Sequence, residues 1–476
     1  MNTSQKTTLV WLREDLRLED NPALSHAASR GAVLPIYFYP DGMGAASHWW
    51  LHHSLKALQS RFDSAGAPLL LLDGDPATKI PEIAEQTGAD LVVWNRVYSP
   101  AGIESGKKLK QRLGDIQVNT QSFNANLLIE PSKILTKQET PFKVFTPFWR
   151  QCQQHITSQT VLSAPESLTG VTHDLVTKTL DDWDLLPSQP NWATGFEEVW
   201  HPGEQGAASR WTTFLESTVD KYKDGRDLPA KQLTSMLSPH LTFGEISVRQ
   251  LWLEMQEAMA TSEVSSDNGA KFLAEIGWRE FSRYLLFHFP SIESEPFNDK
   301  FEDFPWQSPE SHLTAWQQGK TGYPIVDAGM RELWRTGYMH NRVRMICASF
   351  LTKHLLIHWQ NGADWFWDTL VDADLANNTA SWQWVAGCGA DAAPYFRIFN
   401  PVLQGEKFDK QGDYVRRWVP ELANLPDKYL HQPWAAKQDV LMDANVVLGK
   451  DYPKPIVDHA TARQAALDAY EQIKSS

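Results

Sequence analysis

The residues best suited to chemistry lie in the second half of this 476-residue chain. Glu275, Trp278, Arg279 and Ser282 share one face of a predicted helix, because residues three and four apart are neighbours on a helix surface. An acid, an indole and a guanidinium would then line one wall of a ligand site. The alternative is an ion pair on the surface beside a packed tryptophan.

A run of hydroxyl residues precedes that helix. Thr234-Ser-Met-Leu-Ser238 stands before Pro239 and a second predicted helix over Ile246–Glu257. Hydroxyl and backbone N–H groups at the start of a helix suit a phosphate group. An ordinary N-cap turn is the alternative interpretation.

A third cluster lies in a single helix that we predict over Leu333–His358. One side of this helix is apolar, and its members are Val343, Ile346, Cys347, Phe350 and Leu351. Asn341, Arg344 and Met345 follow helical spacing on the opposite side, which is buried only if it meets a ligand or another domain. We interpret His340 as a core or capping histidine. No second His or Cys stands at ligand spacing, so we predict no metal site.

Acids, amides and indoles are concentrated between Asp372 and Trp384, with Asp374, Asn378 and Trp382 between them. Two carboxylates and nearby amides before a tryptophan pair suit a heteroaromatic ring that presents N–H and C=O edges. An Asx-rich helix cap explains the acids and amides, but it does not explain the tryptophan pair.

Basic residues interleaved with aromatic ones run from Asp391 to Trp418. Within this segment, Arg397–Arg417 holds five basic and three acidic residues, a local charge of +2 in a chain of net charge −14. Such a pattern is typical of a groove that follows a nucleic-acid strand. A solvated charged surface is the alternative.

The overall composition predicts a soluble globular protein of the cytosol. The chain is 42% hydrophobic and 21% charged, and no apolar run approaches the ~20 residues that span a bilayer. The first residues lack the apolar segment of a secretory leader, and three scattered cysteines argue against a disulfide frame. The net charge of −14 argues against nonspecific polyanion binding by the whole surface.

The first part of the chain predicts a doubly wound parallel α/β domain, because nearly continuous apolar runs alternate with helices. The predicted strands are Thr8–Arg13, Val33–Tyr39, Pro68–Leu72, Leu91–Trp94 and Gln117–Phe123, and the predicted helices are His48–Phe62 and Thr78–Thr87. Neither a G-x-G-x-x-G motif nor a Walker loop follows the first strand, so dinucleotide binding there is not indicated. We place this α/β domain at 1–131, a Pro-containing connector at 132–206 and a larger all-helical domain, ending in a predicted helix over Ala460–Ile473, at 207–476.

In this order and spacing, the segments resemble the photolyase/cryptochrome family. The resemblance rests on Val10–Leu18, Gly319–Asp327, Tyr338–Arg342 and Trp382–Pro401, and it covers nearly the whole chain. It implies an N-terminal α/β antenna domain and a C-terminal helical domain that binds FAD, whose reduced form is active.

The resemblance also implies a role for each matching residue. The implied FAD contacts are Tyr222, Thr234, Ser235, Leu237, Ser238, Glu275, Arg279, Asn341, Arg344, Asp372, Asp374 and Asn378. The implied catalytic residues are Glu275, Asn341, Met345, Asn378, Trp278 and Trp384, and the implied electron-transfer chain is Trp306, Trp359 and Trp382. The implied DNA contacts are Arg226, Trp278, Arg342, Trp384, Arg397, Gln404 and Lys407.

Within the family, the chain is similar to cyclobutane pyrimidine dimer photolyases. Asn341 and Met345 stand where (6-4) photolyases have histidines, DASH-type members have Gln at Met345 and Tyr at Trp384, and plant cryptochromes have Asp at Asn378. The implied activity is light-driven repair, in which excited reduced FAD gives an electron to a dimer flipped out of DNA. We expect burial to raise the pKa of Glu275, so that its protonated carboxyl group donates a hydrogen bond to the dimer. A blue-light cryptochrome-type photoreceptor without repair is the alternative function, and an electron-transfer flavoprotein without DNA is a third.

The antenna chromophore is left open by the sequence. Ser99–Gly102 stands where folate-binding members have Glu-Val-Asn-Glu, and Ser294 replaces the family's antenna lysine. A folate held differently, a deazaflavin, another flavin or no antenna are all compatible with these residues, and Trp49 and Trp50 suit either an antenna pocket or the core. We expect a monomer in the bacterial cytosol that joins the nucleoid when bound to UV-damaged DNA, double- or single-stranded.

Overall fold

The computed structural model describes residues 6–156, 160–392 and 396–475. They form two compact units. The first unit comprises Met1–Asn191, Trp200–Asp220 and Ser235–Pro290, and the second comprises Trp192–Val199, Lys221–Thr234 and Ser291–Ser476. These units do not coincide with the division predicted at residues 131 and 206, which stays a prediction.

A parallel sheet forms the centre of the first unit. Its strands are β1 (Thr7–Leu12), β2 (Ala32–Phe38), β3 (Leu70–Leu72), β4 (Leu91–Asn95), β5 (Asn119–Phe123) and the two-residue β6 (Thr169–Gly170). The strand order is β3-β2-β1-β4-β5, with β6 paired to β2. The chain adds strands on one side of β1 and then on the other, which confirms the doubly wound α/β prediction.

The predicted strands agree with the structure within two residues at each end, but the description of all five as nearly continuous apolar runs is wrong for β5. Residues 119–123 of β5 are half-buried or exposed, whereas every residue of β3 and β4 is buried. Strands β3 and β5 both end the sheet, but Leu71 of β3 also bonds the Lys178 N–H at 2.8 Å on its outer side, whereas β4 is the one described segment that pairs with β5. Its polar sequence, Asn-Thr-Gln-Ser-Phe, suits that edge.

Helices surround this sheet and form most of the second unit. Up to residue 290 they are α1 (Pro22–Ala28), α2 (Ala45–Ala65), α3 (Pro76–Thr87), α4 (Pro100–Asp115), α5 (Phe145–His155), α6 (Glu204–Ser217), α7 (Tyr222–Gly225), α8 (Ser238–Thr242), α9 (Val248–Ala260) and α10 (Ser266–His288). Beyond residue 290 they are α11 (Glu310–Gln317), α12 (Pro324–Thr336), α13 (Asn341–Ser349), α14 (Trp359–Thr369), α15 (Leu375–Ala386), α16 (Pro401–Phe408), α17 (Asp413–Trp418), α18 (Asp427–Leu430), α19 (Gln438–Asp443) and α20 (His459–Ser475). Short 3-10 turns occupy Pro131–Lys133, Asp181–Trp183, Val219–Lys221, Pro290–Glu293, Asp299–Asp303, Pro420–Leu422 and Pro433–Ala435.

The sequence interpretation missed α1 and α4, although both carry a start signal. Asn21 and Ser99 cap these helices with their side chains, and a proline follows each cap at the first helical position. The predicted helix over Ile246–Glu257 is α9, shifted by two or three residues.

The single helix predicted over Leu333–His358 is wrong. Helix α12 ends at Thr336, where Gly337 adopts a left-handed φ of 66°, and α13 begins only at Asn341. A π-helical turn over Phe350–His354 then follows α13. The apolar stripe itself is confirmed, since all five of its members are buried.

A buried arginine after β1 joins distant parts of the first unit. Arg17 is 1% exposed, and its guanidinium donates to the carbonyl oxygens of Gly244 at 2.8 Å, Ala125 at 2.9 Å and Asp20 at 3.1 Å. Arg249 of α9 in turn donates to the Asp20 carboxylate at 2.7 Å. These bonds place the segment before α9, which includes α8, against the loops of the sheet.

The sequence predicts neither a membrane-spanning helix nor a metal site. Within the described ranges no helix is long and apolar enough to cross a membrane. In the same part of the chain, no group of three or more His, Cys, Asp or Glu side chains is arranged to hold a metal ion.

Candidate active site

Helix α13 starts at a histidine cap in the second unit. The Nδ1 atom of His340 accepts a hydrogen bond from the Arg342 N–H at 3.2 Å, and the His340 N–H donates to the Glu332 carboxylate at 3.2 Å. Burial lowers the pKa of His340 to about 4, so the ring is neutral and able to accept. The interpretation of His340 as a capping histidine therefore agrees with the structure.

The two faces of α13 differ as predicted. Val343, Ile346 and Cys347 are at most 1% exposed and belong to the core of the second unit. Asn341 is exposed, and Met345 is half-buried. The polar face of α13 is therefore available to a ligand.

Arg344 on that face forms a salt bridge with Asp372. Its Nη2 atom lies 2.8 Å from Asp372 Oδ2, and its Nε donates to the Met339 carbonyl at 2.7 Å. Asp372 is 7% exposed, and a buried charge needs such a partner. The structure thus joins two of the predicted flavin contacts.

Asp374 and Asn378 at the start of α15 form different hydrogen bonds. Asp374 is the N-cap of this helix and accepts from both the backbone and the side-chain N–H groups of Asn377 at 2.8 Å. The helix-cap alternative is therefore correct for Asp374. Asn378 instead donates its side-chain N–H to the Ala363 carbonyl of α14 at 2.9 Å, and this bond leaves its Oδ1 atom to accept.

Trp382 and Trp384 lie on different faces of α15. Trp384 is half-buried, and its Nε1 donates to the Asp391 carbonyl at 3.1 Å. Trp382 is 2% exposed and packs directly on Gly362 of α14, where an added Cβ atom would lie 2.1 Å from the indole. Glycine is needed at residue 362 because the indole approaches the helix backbone so closely.

The proposed electron chain continues from Gly362. Trp359 lies one helical turn earlier on α14 and is 1% exposed. Trp306 is half-buried and contacts His358, the residue before Trp359, with ring centroids 5.1 Å apart. A hydrogen bond of 2.7 Å from the Gln307 N–H to the Leu356 carbonyl holds this contact in place. The three tryptophans thus lie on segments that contact one another, and their role as an electron chain stays a prediction.

Two predicted DNA contacts of the second unit lie over the same aromatic ring. Arg342 and Lys407 both lie over the ring of Phe408, at 4.5 Å and 5.0 Å from its centroid. Arg342 also pairs with Asp227 at 2.8 Å, beside Arg226 in sequence. Two cations on one ring concentrate positive charge at this part of the surface.

The remaining predicted DNA contacts flank α16, which Asn400 caps. Arg397 is exposed and lies over the ring of Phe399 at 5.0 Å, and Gln404 is half-buried on α16. The segment between Asp391 and Arg397 includes residues 393–395, which fall outside the described chain.

The predicted phosphate segment Thr234–Ser238 leads into α8, a five-residue helix, and not directly into α9 as expected. Thr234 is hydrogen-bonded to the hydroxyl group of Tyr338, and Tyr222 is 7% exposed with Arg226 over its ring at 5.7 Å. In the first unit, Leu237 is buried, Ser235 is half-buried and Ser238 is exposed.

The expected burial of Glu275 in the first unit is wrong. Its side chain is 27% exposed, and it pairs with Lys271, one helical turn earlier on α10, at 2.9 Å. The ion pair of the alternative interpretation is therefore present, and the role of Glu275 toward a dimer stays a prediction. The signal was present in the sequence, because a lysine four residues before a glutamate is a helical ion-pair spacing.

Trp278 and Arg279 of α10 contact residues far away in sequence. Trp278 stacks face to face on Phe145 of α5, with ring centroids 3.9 Å apart and planes 8° apart. Arg279 donates to the Asn126 carbonyl at 2.9 Å and to Glu280 at 3.1 Å. Phe145 was missed by the sequence interpretation, since nothing near it in the chain points to Trp278.

Glu280 is a second residue that the sequence interpretation missed. It is 5% exposed and accepts from the Leu128 N–H at 2.8 Å. Burial raises the pKa of Glu280 to about 7, and the neighbouring Arg279 only partly opposes this effect. The hydrogen bond from Arg279 to Glu280 therefore ends on a carboxyl group whose charge changes near neutral pH.

The residues considered for an antenna have structural contacts of their own. Trp50 is fully buried and donates to Glu245 at 2.9 Å, and Trp49 is 3% exposed, so the core alternative is correct for both. Ser99 caps α4, and the Ser294 carbonyl accepts from Gln360 at 2.8 Å. The antenna identity stays open.

Comparison with known proteins places this site in a family. The sequence profile described as DNA photolyase matches residues 8–166, and the profile described as the FAD binding domain of DNA photolyase matches residues 272–472. A deoxyribodipyrimidine photo-lyase of Agrobacterium fabrum is 49% identical over 480 residues that cover 100% of both chains. Cryptochrome-2 of Arabidopsis thaliana is 36% identical over 99% of this chain and 80% of its own length.

A solved structure agrees with these sequence matches. The crystal structure of a bacterial class III photolyase from Agrobacterium tumefaciens superposes with a TM-score of 0.97 at 49% identity, and the match covers 100% of this chain and 99% of that one. A parallel α/β sheet together with an FAD-binding helical region defines a photolyase-type flavoprotein. The chain belongs to the photolyase/cryptochrome family. The predicted family, fold class, lyase-type enzyme and FAD cofactor are confirmed.

Proposed function

We propose that this chain repairs cyclobutane pyrimidine dimers in DNA by a light-driven reaction. The observation that carries the proposal is the open face of α13, where Asn341 and Met345 flank Arg344, the partner of Asp372. An amide and a thioether suit the carbonyl edges and saturated ring of such a dimer. Imidazoles at both positions, as in (6-4) photolyases, suit proton transfer instead.

The donor set of the second unit fits a flavin. Arg344 and Asp372 offer a charged donor and a charged acceptor, and Asn378 offers an oxygen whose orientation is set by its bond to Ala363. Thr234 in the second unit is proposed as a contact of the FAD phosphates. Ser235 and Ser238 in the first unit are proposed for the same role. When bound, reduced FAD supplies the electron that opens the dimer.

Trp278 and Trp384 are proposed as the aromatic surfaces against which the flipped lesion stacks. A base taken out of the helix loses stacking, and an indole face restores part of it. Each indole is itself held: Phe145 supports Trp278 in the first unit, and the Asp391 carbonyl orients Trp384 in the second. A fixed indole costs little conformational entropy when the lesion binds.

Glu275 is proposed as the residue that hydrogen-bonds the lesion, with one condition added by its ion pair. A carboxylate paired with Lys271 accepts hydrogen bonds but donates none. Donation to a dimer carbonyl therefore requires that Glu275 leave Lys271 and take up a proton when the lesion excludes water. Lys271 is then left close to the negative charge that develops during repair.

Repair of defined lesions tests this proposal. Protein with reduced FAD is mixed with oligothymidylate that contains cyclobutane dimers, and the dimers that remain are measured after blue illumination. We expect loss of dimers in the light and none in the dark. An oligonucleotide that carries only (6-4) lesions is the matched substrate control, and repair of that lesion alone would contradict the assignment.

The second candidate function is a photoreceptor without repair. The identity of 36% to Arabidopsis cryptochrome-2 favours its consideration. Under that function, dimers stay intact under reducing blue light while the bound FAD still responds to illumination. The same experiment therefore separates the two functions.

A further inference from the structure

A buried lysine contacts the DNA-contact segment, which is residues 396–418 and includes the proposed DNA contacts Arg397, Gln404 and Lys407. This lysine has no role in the proposed reaction. Lys353 lies in the π-helical turn after α13 and is 2% exposed. Among the described residues, no carboxylate lies within ion-pair distance of its ammonium group. Burial of an unpaired cation is costly, so its presence calls for a compensating contact.

The compensating contacts all go to the start of the DNA-contact segment. Lys353 Nζ donates to the backbone carbonyl of Arg397 at 2.8 Å. It also lies 3.9 Å from the ring centroid of Phe396, which stacks on Tyr470 of α20 with centroids 4.7 Å apart. One ammonium group thus holds two consecutive residues, by a charged hydrogen bond and by a cation–π contact.

The same group lines a small cavity shared with Trp384. The cavity measures about 30 Å³, and Lys353, Trp384, Phe396, Arg397 and Tyr470 contribute to its wall. Trp384 is the proposed lesion surface, and Arg397 is a proposed DNA contact. Lys353 therefore bonds the backbone of Arg397 and lines the same cavity as Trp384.

We propose that Lys353 is the positioning residue that holds the Arg397 backbone in the orientation required for binding the DNA phosphate chain. This inference rests on the proposed DNA contact of Arg397. The π-helical turn supports it, because such a turn adds a residue to a helix and redirects the side chains that follow. Arg397 is itself exposed, so its carbonyl is the natural point at which a buried group can fix it.

The strength of this hold depends on the charge of Lys353. Burial lowers the pKa of Lys353 to about 7. Among the described residues, the titratable group that acts on its charge is the Cys388 thiol, and Arg397 and Tyr470 line the same cavity. Burial raises the pKa of Cys388 to about 12, so this thiol is neutral near pH 7 and does not offset the titration.

Two effects of opposite sign follow as the pH rises through about 7. Loss of the proton removes the cation–π contact, so the hold on Arg397 weakens and DNA affinity falls. The free energy of unfolding moves the other way, because the unfolded lysine keeps its proton up to about 10.5 while the folded one does not. A merely structural role of Lys353 would move stability and affinity together.

Binding of fluorescein-labelled dimer-containing oligothymidylate to the FAD-loaded protein tests the inference, at about pH 6 and about pH 8. At the lower pH we expect Lys353→Met to bind at least about tenfold more weakly than the wild type. We expect the pH dependence to become smaller, by the same amount, in Lys353→Met and in Arg397→Ala. The double variant should bind no more weakly than Arg397→Ala alone, because Lys353 acts through that residue.

Additive losses in the double variant, or unchanged binding by Lys353→Met, would overturn the inference and leave the proposed repair activity standing. Failure of the wild type to repair dimers would overturn the proposed function instead. The pH comparison of wild type with Arg397→Ala needs no change at Lys353. A pH dependence as large in Arg397→Ala as in the wild type therefore refutes the inference even if Lys353→Met does not fold.

Discussion

Replacement of Trp306 by phenylalanine should separate photoreduction of the bound FAD from repair. In the proposed mechanism, repair returns its electron in each cycle, whereas photoreduction draws an electron from outside through the proposed chain of Trp382, Trp359 and Trp306. Phenylalanine resists oxidation far more than tryptophan. We therefore expect Trp306→Phe to abolish or strongly slow the reduction of oxidised FAD by thiols under blue light.

The structure predicts that this variant folds normally. Trp306 is half-buried, and its Nε1–H is a buried donor with no hydrogen-bond partner in the described chain. The smaller ring forfeits about 1 kcal/mol of packing. Removal of an unsatisfied buried N–H returns about 1–3 kcal/mol of desolvation. The two effects largely cancel, so the melting temperature should stay within a few degrees of the wild type.

The assay follows the absorbance of oxidised FAD during blue illumination with a thiol, and then repair by the same protein after reduction with dithionite. Trp434→Phe is a matched control, because Trp434 is also half-buried in the second unit but packs on Tyr323, at 5.1 Å, outside the proposed chain. Normal photoreduction in Trp306→Phe would show that electrons enter by another route. Lost repair in the chemically reduced variant would mean that Trp306 supports the fold or the lesion site.

Four further variants test other parts of the site. Glu275→Gln should leave FAD bound but lower the number of dimers split per absorbed photon, and an unchanged quantum yield would remove Glu275 from the mechanism. Arg342→Ala and Arg397→Ala should each weaken binding of damaged and undamaged DNA alike and lower the slope of log K against log salt by ~0.7–0.9, whereas a loss confined to damaged DNA would make them lesion contacts. Because burial raises the pKa of Glu280 from 4.5 to about 7, the unfolded state loses its proton first as pH rises, and the wild type should lose up to about 3 kcal/mol of unfolding free energy over this window. In urea unfolding at several pH values, Glu280→Gln should show a loss smaller by that amount, because Glu332, whose pKa burial also raises to about 7, still titrates. A loss equal to that of the wild type would place the titration elsewhere.

Local patterns in the sequence were sufficient for the sheet and for several helices. The apolar runs that became β1 to β4 record burial on both faces, and burial on both faces is the property of central parallel strands. The stripe of Val343, Ile346 and Cys347 likewise recorded which side of α13 meets the core. Such patterns can be interpreted from the sequence because the apolar or polar character of each residue indicates whether its own position is buried.

Contacts between distant residues left no such record. Trp278 stacks on Phe145 across 133 positions of the chain, and Glu280 accepts from the backbone of Leu128, 152 positions earlier. The expected burial of Glu275 failed for a related reason, since exposure depends on what covers a helix face and not on the face itself. Its partner Lys271 was nevertheless readable from helical spacing.

By itself, the sequence determined the fold class, the family and the residue types available to a flavin and a dimer, because strand and helix periods and motif spacing are properties of the chain. Only the tertiary structure decided that the helix over Leu333–His358 is broken at Gly337 and that Trp382 rests on Gly362. It alone decided that Lys353 holds the Arg397 carbonyl. Each of these depends on a close approach between segments, and the free energy of burial selects such approaches only once the whole chain is packed.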